Sequence, residues 1–186
     1  MSSAKSRVRI YIACSLDGFI AGPDDDLSWL PQGGSEEASK DVPGSVDFEQ
    51  FMAGVGALLM GRRTYDVITG FGVWPYGDCP VLVPTHRPLD PVRPTVKPVA
   101  GGIVELVGAA KKVANGKDVY LDGGNLIRQA IDAHLVDDMI VSIVPIVLGQ
   151  GHPLFAGASD RHALEFVGHY DYNGMVQLHA RFVAGS

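Results

Sequence analysis

The sequence predicts one three-layer α/β domain with a central mixed, mostly parallel sheet, helices on both faces and a C-terminal antiparallel hairpin. Strand-like and helix-like segments alternate along the chain, which is typical of a sheet covered on both faces. The last two strand-like segments, residues 163–170 and 175–183, flank Asn173-Gly174, a strong hairpin signal. A length of 186 residues suits one hydrophobic core, which we place at residues 7–183.

Local patterns predict each element in turn. Alternating apolar and polar side chains predict a first strand at residues 7–13, and further strands are expected at 19–21, 57–60, 80–84, 118–121 and 139–148. Helical spacing predicts helices at 45–55, 64–69, 103–113 and 125–134, the first capped by Ser45 and the second by Thr64. Residues 22–42 are expected to form a long loop that acts as a lid, and the proline-rich residues 88–98 an irregular connection.

Composition and charge narrow the functional classes. The formal net charge is −6, which disfavours non-specific binding to nucleic acid or to an anionic membrane. Cys14 and Cys79 lack CxxC spacing and the six histidines lack metal-ligand spacing, so we expect reduced thiols and no metal. Neither a signal peptide nor an apolar run long enough to span a bilayer is recognisable. We therefore expect a cytoplasmic protein.

Two glycine turns are candidate anion sites. Gly61-Arg62-Arg63-Thr64 leaves a strand and opens a helix, so two arginines lie beside free amide donors. Taken alone, this segment fits a capped helix with solvated arginines equally well or better. Gly123-Gly124, followed by Asn125 and Leu126, also joins a strand to a helix and allows close backbone approach to a pyrophosphate. It is not the GxGxxG fingerprint, so a Rossmann domain is poorly supported.

Two further segments are weaker candidates. Thr85-His86-Arg87 follows a strand, where Arg87 is placed to pair with a phosphate. Ser15-Leu16-Asp17-Gly18 contains an acid but is equally consistent with an ordinary turn. Trp29 and Trp74 can stack on a planar heterocycle, although such residues more often fix a loop to the core. The acidic run at residues 24–26 is expected to be a solvated turn.

These segments occur in an order that resembles the dihydrofolate-reductase-like superfamily. The resemblance is greatest to the reductase (C-terminal) domain of the bifunctional riboflavin-biosynthesis deaminase/reductase, and it covers residues 7–182. It is carried by Ser15-Leu16-Asp17-Gly18, residues 60–65, Asp122-Gly123-Gly124 and residues 135–138 running into 144–149. It implies the corresponding three-layer fold and an NADPH-dependent reductase that uses no metal.

The resemblance also implies roles for individual residues. Arg62, Arg63 and Thr64 would hold the cofactor phosphates, and the Thr85-His86-Arg87 turn would lie near the 2′-phosphate. The complete set of expected cofactor contacts is Ala13, Ile20, Gly61, Arg62, Arg63, Thr64, Thr85, His86, Arg87, Gly123, Gly124, Asn125 and Leu126. The expected substrate contacts are Trp29, Phe48 and Trp74. Asp17 is the first choice of proton donor, with Asp47 and Glu49 behind it.

The implied reaction is hydride transfer to a C=N bond of a ribosylaminopyrimidine or pterin-like heterocycle, as in 5-amino-6-(5-phosphoribosylamino)uracil reductase. The alternatives are a dihydrofolate reductase substitute and a non-catalytic nucleotide-binding paralogue. Two departures keep them open: Phe19 stands where the riboflavin-pathway enzymes typically carry lysine, and the acidic residue that anchors the pterin in dihydrofolate reductase has no unambiguous counterpart. The deaminase half is also absent. We also expect a homodimer, supported by the apolar strand at residues 139–148.

Overall fold

The computed structural model describes residues 6–31 and 43–183. Its helices are α1 (Phe48–Ala53), α2 (Arg62–Gly70), α3 (Ile103–Ala114) and α4 (Gly124–Asp132), with a short 3₁₀ helix at Pro23–Asp25. Its strands are β1 (Val8–Ser15), β2 (Phe19–Ala21), β3 (Val55–Met60), β4 (Val81–Pro84), β5 (Val96–Val99), β6 (Asp118–Asp122), β7 (Asp138–Val144), β8 (His152–Pro153), β9 (Leu164–Tyr172) and β10 (Met175–Phe182).

The central sheet has the strand order β5-β4-β3-β6-β1-β7-β10-β9. The strands from β5 to β7 run parallel, and β10 pairs antiparallel with both β7 and β9. Strands β2 and β8 form a separate small antiparallel pair. The mostly parallel sheet and the C-terminal hairpin confirm the predicted fold class. Because parallel strands end at the same edge, the turns after β1, β3, β4 and β6 meet there.

Two apolar clusters cover the two faces of the sheet. On one face, Leu106 of α3 and Ile127 of α4 pack on Ile10 and Leu121. On the other face, Phe51 of α1 and Tyr65 of α2 pack with Tyr120 and their neighbours. Side chains alternate between the two faces along each strand, so Tyr120 and Leu121 belong to different clusters. This alternation aims Asp122, at the end of β6, to the same face as Tyr120.

The structure corrects several predicted boundaries. Helix α1 is capped by Asp47, which forms a capping box with Gln50, rather than by Ser45. Helix α2 begins at Arg62 with Gly61 as its N-cap, two residues before the predicted Thr64. Strand β7 ends at Val144, four residues before the predicted end.

The proline-rich stretch was wrongly predicted to be irregular throughout. Residues Val96–Val99 form β5, which pairs parallel with β4 at the edge of the sheet. Val96 is buried, whereas Lys97 and Pro98 are exposed. An edge strand tolerates proline because one row of its amide groups has no partner strand.

Candidate functional site

A cavity of about 790 Å³ lies at the carboxyl edge of the parallel strands. Its walls come from the ends of β1, β4, β5 and β6, the first turns of α2 and α4, and the 3₁₀ segment. Ligands of open α/β sheets bind outside the carboxyl ends of the strands. Position and size therefore make this cavity the candidate site.

The two predicted glycine turns touch each other in this cavity. The Gly61 amide donates to the Asp122 carbonyl oxygen at 3.0 Å. Gly123 has a φ of +103°, and a Cβ there would lie 2.8 Å from Thr64 Oγ1. A Cβ on Gly124 would lie 3.0 Å from Ile20 Cδ1 and 3.3 Å from the Pro153 carbonyl oxygen. Gly123 therefore requires glycine for its φ, whereas a side chain at Gly124 would force its neighbours to move. Helix α4 has no side-chain cap at its N-terminus.

Both arginines of the first turn already hold a carboxylate. Arg62 Nε donates to Asp66 at 2.8 Å, while its Nη1 donates to Thr85 Oγ1 at 3.0 Å. Arg63 Nε donates to Asp25 at 2.6 Å, and its side chain is 62% exposed. His152 Nε2 lies 3.4 Å from the same Asp25 carboxylate. Because these ion pairs are partly exposed, an anionic ligand can replace the carboxylate partner of each arginine at a small cost in free energy.

Another part of the cavity lining, which we call the acid end, is aromatic and contains a buried acid. Tyr11, Phe48 and Tyr120 line it together with Asp122, and Asp122 is only 9% exposed. Burial raises the pKa of the Asp122 carboxyl to about 6, although the Gly123 amide and the nearby tyrosine hydroxyls oppose that shift. Such a carboxyl holds a proton in part of the molecules at neutral pH.

Tyrosine hydroxyl groups support this end. Tyr120 donates to the Tyr11 carbonyl oxygen at 2.8 Å, and Tyr11 donates to the Val46 carbonyl oxygen at 3.1 Å. Burial raises the pKa of Tyr11, Tyr76 and Tyr120, so all three hydroxyls stay neutral. The aromatic wall is therefore tied to the backbone of β1 and to the segment that enters α1.

The structure brings almost all of the predicted cofactor contacts to this one cavity. The exception is Arg87, whose exposed side chain pairs with Asp66 at 3.3 Å and does not line the cavity. The predicted residues that do line it are Ala13, Ile20, Gly61, Arg62, Arg63, Thr64, Thr85, His86, Gly123, Gly124, Asn125 and Leu126.

The three predicted proton donors do not reach the cavity. Asp17 accepts hydrogen bonds from Ser15 Oγ at 2.6 Å and from the Gly149 amide at 2.7 Å. These bonds hold the pKa of its carboxyl down to about 2, so it carries no proton at neutral pH. Asp47 caps α1, and Glu49 is exposed on the first turn of that helix. None of the three lines the cavity.

Of the predicted substrate contacts, only Phe48 lines the cavity. Trp29 Nε1 donates to the Asp26 carbonyl oxygen at 3.0 Å, and Trp74 packs edge-on against Tyr65 and Tyr76. Both tryptophans therefore fix loops to the protein. The predicted lid reaches the cavity through Asp25 and the neighbouring leucines at 27 and 30, while residues 32–42 of that loop lie outside the described residues.

Sequence reasoning missed several residues of the site. Asp122 belongs to the predicted glycine motif but was not predicted to act as an acid, although three buried positions precede it on β6. Arg128 also lines the cavity, one turn along α4 from Gly124, and its Nη1 donates to the Pro153 carbonyl oxygen at 2.7 Å. Asp25 and His152 come from distant segments, so no local signal indicated their pairing.

Two further expectations concern metals and membranes. Across residues 6–31 and 43–183, no group of three or more histidine, cysteine or acidic side chains is arranged to hold a metal ion. No helix in those same ranges is both long and apolar enough to cross a bilayer.

The fold and the cavity together define an α/β protein of the dihydrofolate-reductase-like class. The chain belongs to the RibD C-terminal domain family, whose model matches residues 80–178, more than half of its length.

Individual relatives agree with this membership. The chain is 30% identical over 174 residues to the uncharacterized protein YwjB of Bacillus subtilis, covering 91% of this chain and 94% of that one. A solved protein from Shewanella sp. PV-4, provisionally named as a riboflavin biosynthesis protein, is 28% identical with a TM-score of 0.79 and coverages of 95% and 99%.

A bifunctional enzyme shares the fold at lower identity. The diaminohydroxyphosphoribosylaminopyrimidine deaminase/5-amino-6-(5-phosphoribosylamino)uracil reductase of Thermotoga maritima is 16% identical with a TM-score of 0.61. The match covers 96% of this chain and 57% of that enzyme. At this identity the likeness shows the fold alone.

Proposed function

We propose that this chain is an NADPH-dependent reductase that transfers a hydride to a C=N bond of a ribosylaminopyrimidine or pterin-like heterocycle. One observation carries the proposal: the two glycine turns and the buried Asp122 converge on a single cavity. Membership of the RibD C-terminal domain family supports the same reading.

The Gly61–Thr64 and Gly123–Leu126 turns, with Thr85 and His86, form what we call the basic end, and they fit the phosphates of a dinucleotide. The N-termini of α2 and α4 both face the cavity, and each offers free amides and a positive dipole end to an anion. Any side chain at Gly123 or Gly124 would fill the space beside these amides. Arg63 and Thr64 lie beside them, and Thr85 and His86 also line the cavity, where they would contact the adenosine. When bound, NADPH supplies the hydride.

The acid end fits a planar ring and a proton source. Tyr11, Phe48 and Tyr120 offer aromatic surface on which a heterocycle can pack. The Asp122 carboxyl, with its pKa raised to about 6, carries a proton in part of the molecules at neutral pH and can donate it next to that surface. Ala13 and Ile20 also line the cavity and would border the nicotinamide. The protein thus positions two ligands and donates one proton.

The test is NADPH binding followed by turnover. Fluorescence titration measures binding of NADPH. The absorbance of NADPH then measures its oxidation with 5-amino-6-(5-phosphoribosylamino)uracil and, in parallel, with dihydrofolate. Turnover of the first supports the proposed activity, and turnover of dihydrofolate alone assigns the alternative reductase. Binding without oxidation of either favours a non-catalytic nucleotide-binding protein. Absence of NADPH binding contradicts the proposal.

We also propose that the chain forms a homodimer, but not through the strand predicted for it. Strand β7 pairs with β1 on one side and β10 on the other, so its edges are occupied. The sheet instead ends at β9, where Phe166 is 65% and Val167 45% exposed. A long apolar edge favours pairing with a second strand.

Light scattering tests the proposed dimer. Phe166→Asp is expected to convert a dimer to a monomer and to leave the affinity for NADPH unchanged. A monomeric wild-type chain contradicts the proposal.

A further inference from the structure

One acidic side chain beside the cavity has no part in the function proposed above. Asp66 lies on α2, one turn after Arg62, and is 44% exposed. Its Oδ1 accepts a hydrogen bond from Arg62 Nε at 2.8 Å, and its Oδ2 accepts one from Arg87 Nη2 at 3.3 Å. A single carboxylate therefore bridges the two guanidinium groups that border the turn at Thr85.

Arg62 is anchored independently of Asp66. Its Nη1 donates to Thr85 Oγ1 and to the Pro88 carbonyl oxygen, both at 3.0 Å. The turn closes on itself as well, because the Arg87 amide donates to Thr85 Oγ1 at 3.1 Å. The position of Arg62 and the shape of the turn thus survive without the carboxylate. What Asp66 adds at this point is chiefly its charge.

That charge acts differently on the two dinucleotides. The two guanidinium cations and the one carboxylate that join at this turn leave a single net positive charge among them. A phosphate monoester carries nearly two negative charges at neutral pH, so the carboxylate repels it and competes for the same N–H donors. A ribose 2′-hydroxyl is uncharged and can donate a hydrogen bond to a carboxylate. Asp66 therefore opposes a 2′-phosphate and tolerates a 2′-hydroxyl.

We infer that Asp66 is a specificity-determining residue, which narrows the preference for NADPH over NADH by holding Arg62 and Arg87. The inference rests on the proposed function, since it takes the Thr85 turn as the place of the 2′-phosphate. It goes beyond that function by assigning the cofactor preference to a residue that touches neither the expected pyrophosphate nor the reacting atoms.

The experiment compares dissociation constants of NADPH and NADH for the full chain and two variants, measured by fluorescence titration. Asp66→Asn keeps the size of the side chain and removes its charge. Asp78→Asn is the matched control, because Asp78 is also exposed, makes the same change in net charge and does not line the cavity. Adenosine 2′,5′-bisphosphate and adenosine 5′-monophosphate serve as probes that isolate the 2′-phosphate from the rest of the cofactor.

The expected result is an affinity of Asp66→Asn for NADPH about three- to tenfold higher than that of the wild type, with NADH within about twofold. The affinity for the bisphosphate should rise as that for NADPH does, and the affinity for the monophosphate should stay as constant as that for NADH. Asp78→Asn should leave every dissociation constant unchanged. An unchanged or reduced ratio in Asp66→Asn overturns the inference while leaving the proposed function intact. A wild-type chain that binds neither dinucleotide overturns the proposed function, and this inference with it.

Discussion

The two ends of the cavity are built in opposite ways. The basic end consists of glycine backbone and of arginines that are paired at the surface, with Arg63 62% exposed beside Asp25. The acid end consists of aromatic walls around Asp122, which is only 9% exposed. Surface ion pairs exchange partners at small cost, whereas a buried carboxyl keeps an altered pKa. The basic end is therefore suited to hold a charged ligand, and the acid end to handle a proton.

The largest effect is expected from removing the acid. Asp122→Asn keeps the shape of the side chain but removes its ability to donate a proton, so we expect turnover to fall about 10²- to 10⁴-fold. The affinity for NADPH should fall much less than turnover, because asparagine keeps the backbone carbonyl at position 122 that accepts from the Gly61 amide. Steady-state kinetics and a fluorescence titration on the same preparation measure the two effects.

Asp47→Asn tests one of the three proton donors that the sequence predicted. Asparagine also caps a helix, so α1 should remain intact, and Asp47 does not line the cavity. We expect near-wild-type turnover for this variant. A large loss of turnover in Asp47→Asn, with turnover retained in Asp122→Asn, would show that Asp122 is not the proton donor.

The second effect concerns stability. Burial raises the pKa of Asp122 from 3.8 to about 6, so between these values the native state binds more protons than the unfolded state. The free energy of unfolding contributed by this group therefore falls as pH rises from about 4 to about 6, by about 3 kcal/mol in total. Urea unfolding of wild type and Asp122→Asn across this range measures it.

The difference in unfolding free energy between the wild type and Asp122→Asn isolates the contribution of Asp122. Carboxylates with a lowered pKa, such as Asp17 at about 2, lose their contribution at lower pH and are shared by both chains. The wild type should lose stability relative to Asp122→Asn as pH rises, and the curves should run parallel above about pH 7. A constant difference from pH 4 to 7 would mean that Asp122 titrates normally.

The smallest of these effects concerns the space at the basic end. An alanine Cβ at position 124 would lie 3.0 Å from Ile20 Cδ1 and 3.1 Å from Arg128 Nη1, so Gly124→Ala should weaken NADPH binding about tenfold. Gly108→Ala is the control: it lies in α3 with nothing within 4 Å of the added atom. That change should raise the stability by roughly 0.5–1 kcal/mol without altering affinity. Equal affinities of Gly124→Ala and Gly108→Ala for NADPH would contradict the assignment of the Gly123-Gly124 turn to the cofactor.

The basic end was predictable from the sequence because its information is local. Gly61 and Thr64 lie within four residues, as do Gly123 and Leu126, and both groups follow apolar strands. Parallel strands bring such turns to one edge of the sheet, so their meeting follows from the predicted fold. Arg87 is the exception, because its side chain pairs with Asp66 and does not line the cavity.

The acid end was not predictable because its members are far apart in the chain. Tyr11, Phe48 and Asp122 come from β1, α1 and β6, and only the strand order places them together. Asp17 drew attention because it lies in a recognisable motif, yet its carboxylate ties that turn to the Gly149 loop. Likewise, β5 was hidden by its prolines, which an edge strand accommodates.

The central claim is that the Gly61 and Gly123 turns bind one dinucleotide whose reactive end faces Asp122. A crystal structure of the chain with NADPH tests it most directly. We predict phosphate oxygens within hydrogen-bond distance of the Thr64 and Gly124 amides, and a nicotinamide ring beside Ala13 and Ile20. NADPH bound elsewhere, or in contact with neither turn, would contradict it.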